Sequence, residues 1–249
     1  MKDKGILRHR ILFGLLLILL SIFFYAVHYA AFRDLHHILI FLIGDIAFVF
    51  LEVLLVTLIL HQVLNDRERR SMLKKLNMVI GAFFCEVGTP LLTYFRDFDK
   101  AVDAIMNRLA VDGRWSHEQF EQMRDVLIHH KCEIDPLAGD LAHLREFLIR
   151  ERQFLLGLLE NPNLLEHEEF TELMWAVFHL ADELSHRTTV VGLAKTDYEH
   201  LAGDIARAYS LLLREWISHL EHLKISYPYL FSLALRTNPF DPDASAEVA

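Results

Sequence analysis

Two apolar runs separated by a two-residue polar break constrain this chain more than any other feature. Residues 11–32, "ILFGLLLILLSIFFYAVHYAAF", contain no Asp, Glu, Lys or Arg. As a helix rising about 1.5 Å per residue they reach about 33 Å, enough for a hydrocarbon core of about 30 Å. The second run, from Leu35 to about Leu64, reaches about 45 Å, long for one crossing unless it tilts or projects. Arg33 and Asp34 stand between them, so the pattern predicts a tight transmembrane helical hairpin in a lipid bilayer. A cleaved signal peptide is the competing reading. It would have an apolar stretch of about 7–15 residues and small residues before the cut, whereas His28 and Tyr29 precede the candidate points after Ala30 or Ala31. A retained span is expected.

Lys and Arg orient the hairpin. Lys2, Lys4, Arg8 and Arg10 precede it, and Arg67, Arg69, Arg70, Lys74 and Lys75 follow it, while the turn carries only Arg33. The positive-inside rule places both termini in the cytoplasm of a multi-pass inner-membrane protein, with His36 and His37 at the outer surface. Arg67, Arg69, Arg70, Lys74 and Lys75 then form a basic cluster against anionic headgroups.

The second span carries Asp45 and Glu52, each costing about 2.5–3.5 kcal/mol near a bilayer centre. Seven residues apart, they lie on one helix face about 10.5 Å from each other. The first span has a polar line of its own in Ser21, Tyr25 and His28. In an antiparallel hairpin Ser21 and Tyr25 fall near the depth of Asp45, so a hydrogen bond from either is the bland explanation for that acid. Glu52 has Leu16 at its depth and no partner within the hairpin. A neighbouring subunit, water or protonation must serve it.

Beyond the hairpin the charge changes sign. Residues 1–75 hold ten Lys/Arg against six Asp/Glu, leaving 15 and 28 for the remainder. So acidic a surface excludes nucleic acid as a partner. Residues 71–95 carry Met72, Leu73, Leu76, Val79, Ile80, Phe83, Phe84 and Val87 on one helical face, suited to the inner leaflet or to an oligomer interface. Gly88 and Pro90 should end or kink this helix. Further helices are predicted over about 117–132 (capped by Ser116 with Gln119), 137–159, 166–188 and 197–224. They imply an antiparallel bundle. The apolar stripes are Phe170, Leu173, Val177, Ala181 and Leu184, then Leu201, Ile205, Ala208, Leu212, Trp216 and Leu223. "LAGDLAHLREFLIRE" (137–151) and "LAGDIARAYSLLLRE" (201–215) echo one another, as equivalent bundle helices would. The chain past Phe240 has the composition of a disordered tail. The expected fold class is all-α: hairpin 1–66, amphipathic junction 67–112, cytosolic bundle 113–226 and C-terminal segment 227–249.

"KLNMVIGAFFCEVGTPLL" (75–92) and "YPYLFSLALRTNPFDP" (227–242) resemble a group of uncharacterised prokaryotic membrane proteins with an N-terminal hairpin. The resemblance implies this architecture and a prokaryotic inner membrane. It brings no reaction, ligand or functional residue.

No nucleotide-binding, zinc-protease or nucleophile-elbow signature occurs, and no catalytic residue is assigned. Fifteen histidines invite a metal, and Glu-x-x-His pairs can build a di-iron centre in a bundle. Glu183–His186 has that spacing, as do Asp34–His37, Asp140–His143 and Asp197–His200 with Asp substituted. Chance accounts for about half of these, and His179, Asp182, Glu183 and His186 lie off the apolar stripe, as a solvated face does. His129, His130 and Cys132 should point in different directions. His219 and His222 could join His200 around haem or metal, but histidines near a helix C-terminus also suit the dipole. No metal site or cofactor is expected, no disulfide between Cys85 and Cys132, and no enzyme activity. Two function classes remain. One is a homo-oligomer in which Asp45 and Glu52 line a path for cations, regulated by the bundle. The other is a hairpin-anchored interaction or sensing module without transport.

Overall fold

The computed structural model describes residues 3–247, with the side chains of residues 3–11, 69, 70 and 165 outside the described set. The chain is all-helical, 79% helix, with no strand among the described residues. Its contacts define two compact units, Met1–Arg69 and Arg70–Ala249.

The first unit holds α1 (Asp3–Phe32) and the start of α2 (Leu35–Phe83). The polar break makes the turn. Arg33 takes a left-handed φ of 50°, and its N–H donates to Tyr29 O at 2.9 Å, closing the last turn of α1. Asp34 then accepts from the His37 N–H at 3.1 Å, as an N-cap does. Both helices are long and apolar enough to cross a membrane, and their apolar side chains are exposed, Phe50 to 75%.

In the second unit the end of α2 buries Leu76, Ile80 and Phe83. A π-helical turn, Phe84–Gly88, leads into α3 (Thr89–Phe98). Gly88 is required here, because a Cβ would lie 2.6 Å from the Phe84 ring and 2.9 Å from that of Phe83. Pro90 sits in the first turn of α3, where its missing N–H costs nothing. The expected break at Gly88–Pro90 is therefore a widened turn. The apolar face of 71–95 serves neither leaflet nor oligomer along most of its length. Leu76, Ile80, Phe83, Phe84 and Val87 are buried within this unit, leaving Leu73 exposed, and Phe83 meets Phe170 edge-on at 5.4 Å.

Helices α4 (Asp103–Leu109), α5 (His117–His129), α6 (Leu141–Leu159), α7 (Glu168–His186), α8 (Lys195–Ser226) and α9 (Pro228–Arg236) complete the unit. The α5 capping box forms with both bonds, Ser116 Oγ accepting from Gln119 N and Gln119 Oε1 accepting from Ser116 N. Every predicted stripe residue of α7 and α8 is buried. α8 packs against α3, α5, α7 and α9, and α6 lies on α7.

Three expectations fail locally. α5 stops at His129, because residues 132–134 leave to pair with Asp99. α6 starts at Leu141, because Asp140 caps it by accepting from His143 N at 2.9 Å. The two "LAGD" segments thus differ: the first is a turn and cap, the second lies inside α8 with Asp204 buried. Apart from these, the core continues past α9 as far as Phe240. Asn238 donates to Leu109 O at 2.9 Å, and Phe240 packs on Trp216. After Phe240 the described chain is exposed turn.

Candidate functional site

The first unit contains a cleft of about 600 Å³ between its two helices. Ser21, Phe24, Tyr25 and His28 enter from one face of α1, and His37, Ile38, Phe41 and Asp45 from one face of α2. Spacings of three and four put each set in line. Three of the four polar residues predicted along the hairpin therefore meet Asp45 in one place. The predicted hydrogen bond is absent: among the described residues Asp45 bonds neither Tyr25 nor Ser21, and the cleft lies between them. His37 is exposed and stacks on His28, ring centroids 6.0 Å apart and planes within 11°. The His28 Nδ1 is buried without a partner. Glu52 lies outside the cleft and is exposed. Two turns past Asp45, it continues the same helix face. Arg67, Lys74 and Lys75 are exposed, while the side chains of Arg69 and Arg70 fall outside the described set.

Local hydrogen bonds and ion pairs account for the Asp/Glu-x-x-His spacings. Asp34 and Asp140 accept from the N–H of the histidine three residues on, because three residues is the reach of an N-cap. Asp197 is taken by Arg187 at 2.7 Å. His186 turns back to the Asp182 carbonyl at 2.8 Å, away from Glu183. His219 is buried and stacked on Phe84 at 4.7 Å. Burial, aided by neighbouring His222, brings its pKa down to about 4, so the ring is neutral at pH 7. With His222, Cys85, Trp216 and Tyr227 it lines an apolar cavity of about 590 Å³. His200 has no part there: nineteen residues along α8 separate it from His219 by about 28 Å.

In "HHKCE" only His129 points away, its Nδ1 on the Asp125 carbonyl. His130 and Cys132 turn toward Asp99, with His130 Nε2 3.7 Å from Asp99 Oδ2. Nothing in the local sequence announces Asp99, which arrives from the end of α3. Burial and the nearby Asp99 charge push the Cys132 thiol up to about 12, which removes it as a nucleophile at pH 7. Both cysteines are free.

Residues 2–64 match the family described as "MJ1433, N-terminal helical domain", and residues 72–236 match "Uncharacterized protein MJ1433, C-terminal helical domain". The chain is 45% identical over 241 residues to the uncharacterized protein MJ1433 of Methanocaldococcus jannaschii, covering 97% of this chain and 96% of that one. No solved structure matches.

Proposed function

The chain belongs to the MJ1433 family, and from that starting point we propose that it is an oligomeric integral membrane protein whose hairpins admit cations. Helices α1 and α2 cross the bilayer with both termini in the cytoplasm of a prokaryotic inner membrane. The second unit is a cytosolic bundle that regulates the path and performs no catalysis.

The observation that carries this reading is the line of titratable groups inside otherwise apolar helices. His37 and His28 stand near the turn, Asp45 follows in the cleft, and Glu52 lies about 10.5 Å deeper on the same face. Polar groups at membrane depth are expensive and mark ion or proton routes. A bare anchor has no use for them. Completing the route past Glu52 takes a second copy, since that carboxylate has no hydrogen bond or ion pair among the described residues. The competing anchor reading is favoured by one feature, the uniformly exposed apolar surface of both helices elsewhere.

Two measurements test this. Cysteine placed near Asp34 should react with a membrane-impermeant reagent in intact cells, and a reporter fused after Ala249 should be cytoplasmic. Labelling only after permeabilisation would sink the topology. In reconstituted vesicles the wild type should carry cation current, Glu52→Gln should lower it about 10-fold with assembly intact, and Glu52→Lys should lower it further. The anchor reading expects no flux from wild type at pH 5 or pH 8, and more stable insertion of Glu52→Leu.

A further inference from the structure

Two packed helices bring four donor side chains to one point in the second unit. His179 and Glu183 stand four residues apart on α7, and His200 and Asp204 four apart on α8, so each pair shares a helix face. The faces meet. His179 Nε2 lies 3.5 Å from Asp204 Oδ2, and His200 Nε2 lies 3.3 Å from the same oxygen and 3.8 Å from Glu183 Oε2. The donor atoms of His179, Glu183 and His200 fall within 4.8 Å of one another. Ligands held about 2.0–2.2 Å from a tetrahedral ion stand roughly 3.3–3.6 Å apart; the two Asp204–histidine separations match this, and Glu183 stands wider, 3.8 Å from His200.

Asp204 separates this cluster from ordinary surface ion pairs. It is only 5% exposed, in the middle of a helix, and its Oδ2 makes no hydrogen bond. Arg207 Nη1 stands 3.9 Å from its other oxygen, Oδ1, which leaves the buried Oδ2 between two imidazole nitrogens as the place for a cation. Glu183 is held in place by an outer partner. Arg187 donates to its Oε2 at 2.6 Å and to Asp197 at 2.7 Å. Carboxylate ligands are commonly held by such outer partners.

We propose that His179, Glu183, His200 and Asp204 bind a divalent first-row transition ion of the zinc class. Two imidazoles with two carboxylates suit zinc and its neighbours and disfavour calcium or magnesium, which take all-oxygen sets. The histidine side chains are about half exposed, 47% and 53%, so one side of the ion faces solvent and can take a water or an exogenous ligand. The Glu-x-x-His spacing does not describe this set, because it pairs residues within one helix three apart. The ligands here are spaced four apart on two helices.

The test uses the full-length protein in detergent micelles, titrated with Zn²⁺ against a chromophoric chelator and separately with Co²⁺. One equivalent of Zn²⁺ should be taken from the chelator. His179→Ala and His200→Ala should each weaken binding by about 100-fold or more, and Arg187→Ala by about 10–100-fold. Circular dichroism should show unchanged helix content in all three. His186→Ala, on the same helix, and Cys132→Ser, at the other histidine cluster, should bind as wild type does. The Co²⁺ complex should lack thiolate charge-transfer absorption. Failure of the wild type to take up Zn²⁺, uptake that survives both histidine variants, or uptake lost in Cys132→Ser would each overturn the assignment.

Discussion

Glu215→Gln should stabilise the protein by about 3 kcal/mol at pH 8 and leave it nearly unchanged at pH 4. Glu215 lies on α8, 3% exposed. Burial first, and the neighbouring Glu169 carboxylate second, raise its pKa to about 7 from an ordinary 4.5. The folded state therefore holds this proton where the unfolded chain has released it. That contribution is complete below pH 4.5, declines as pH rises through 7, and is gone above it. A rise of about 2.5 pH units at 1.36 kcal/mol each gives the magnitude. Glutamine keeps the neutral, hydrogen-bonding form at every pH, so the variant should be flat where the wild type falls. Urea unfolding in mild detergent at pH 4, 6 and 8 reads this directly. Parallel curves for the two proteins would show that Glu215 is ionised at no cost in the fold.

Asp99→Ala should lower stability by about 2–4 kcal/mol, and Asp99→Asn by about 1. Asp99 Oδ1 accepts from the amides of Ala101 at 3.0 Å and Glu133 at 2.9 Å. It thereby ties the end of α3 to the segment after α5. Lys100 N to Glu133 O and Asp135 N to Phe98 O extend the tie. Alanine leaves two amides without an acceptor, each worth about 1–3 kcal/mol when buried. Asparagine keeps an oxygen at that position and loses only the charge facing His130 at 3.7 Å. Thermal or chemical unfolding distinguishes the two roles. Equal losses for Ala and Asn would mean that the charge, and not the acceptor, holds the segments together.

Periodicity made the helices legible, because burying one face of a helix leaves a 3.6-residue trace in the sequence. The stripes of α7 and α8, the capping box at Ser116 and the break at Gly88–Pro90 could all be read without coordinates. Helix ends set by distant contacts could not. Nothing near His129 says that the next residues will leave to pair with Asp99. Nor does the second "LAGD" reveal that its Asp lies buried inside a helix while the first caps one. The apolar face of 71–95 was visible, but what covers it was not, since a stripe records burial and not the partner. The two acids of the second apolar run and the Ser21–Tyr25–His28 line were evident from the sequence. Their convergence with His37 around one cleft depended on where the turn falls. The four-donor cluster was hidden for a related reason: each helix shows half of it, and half resembles a solvated face.

The turn at Arg33 and Asp34 has a consequence for how the chain is made. With α1 and α2 joined by two residues, neither helix can settle in a bilayer while the other waits in water. On the proposed topology the pair enters as one unit, and the only formal charges carried to the far side are one cation and one anion. They cancel. Translocating that turn therefore moves no net charge through the membrane potential, so any dependence of insertion on that potential rests on Asp45 and Glu52, not on the turn.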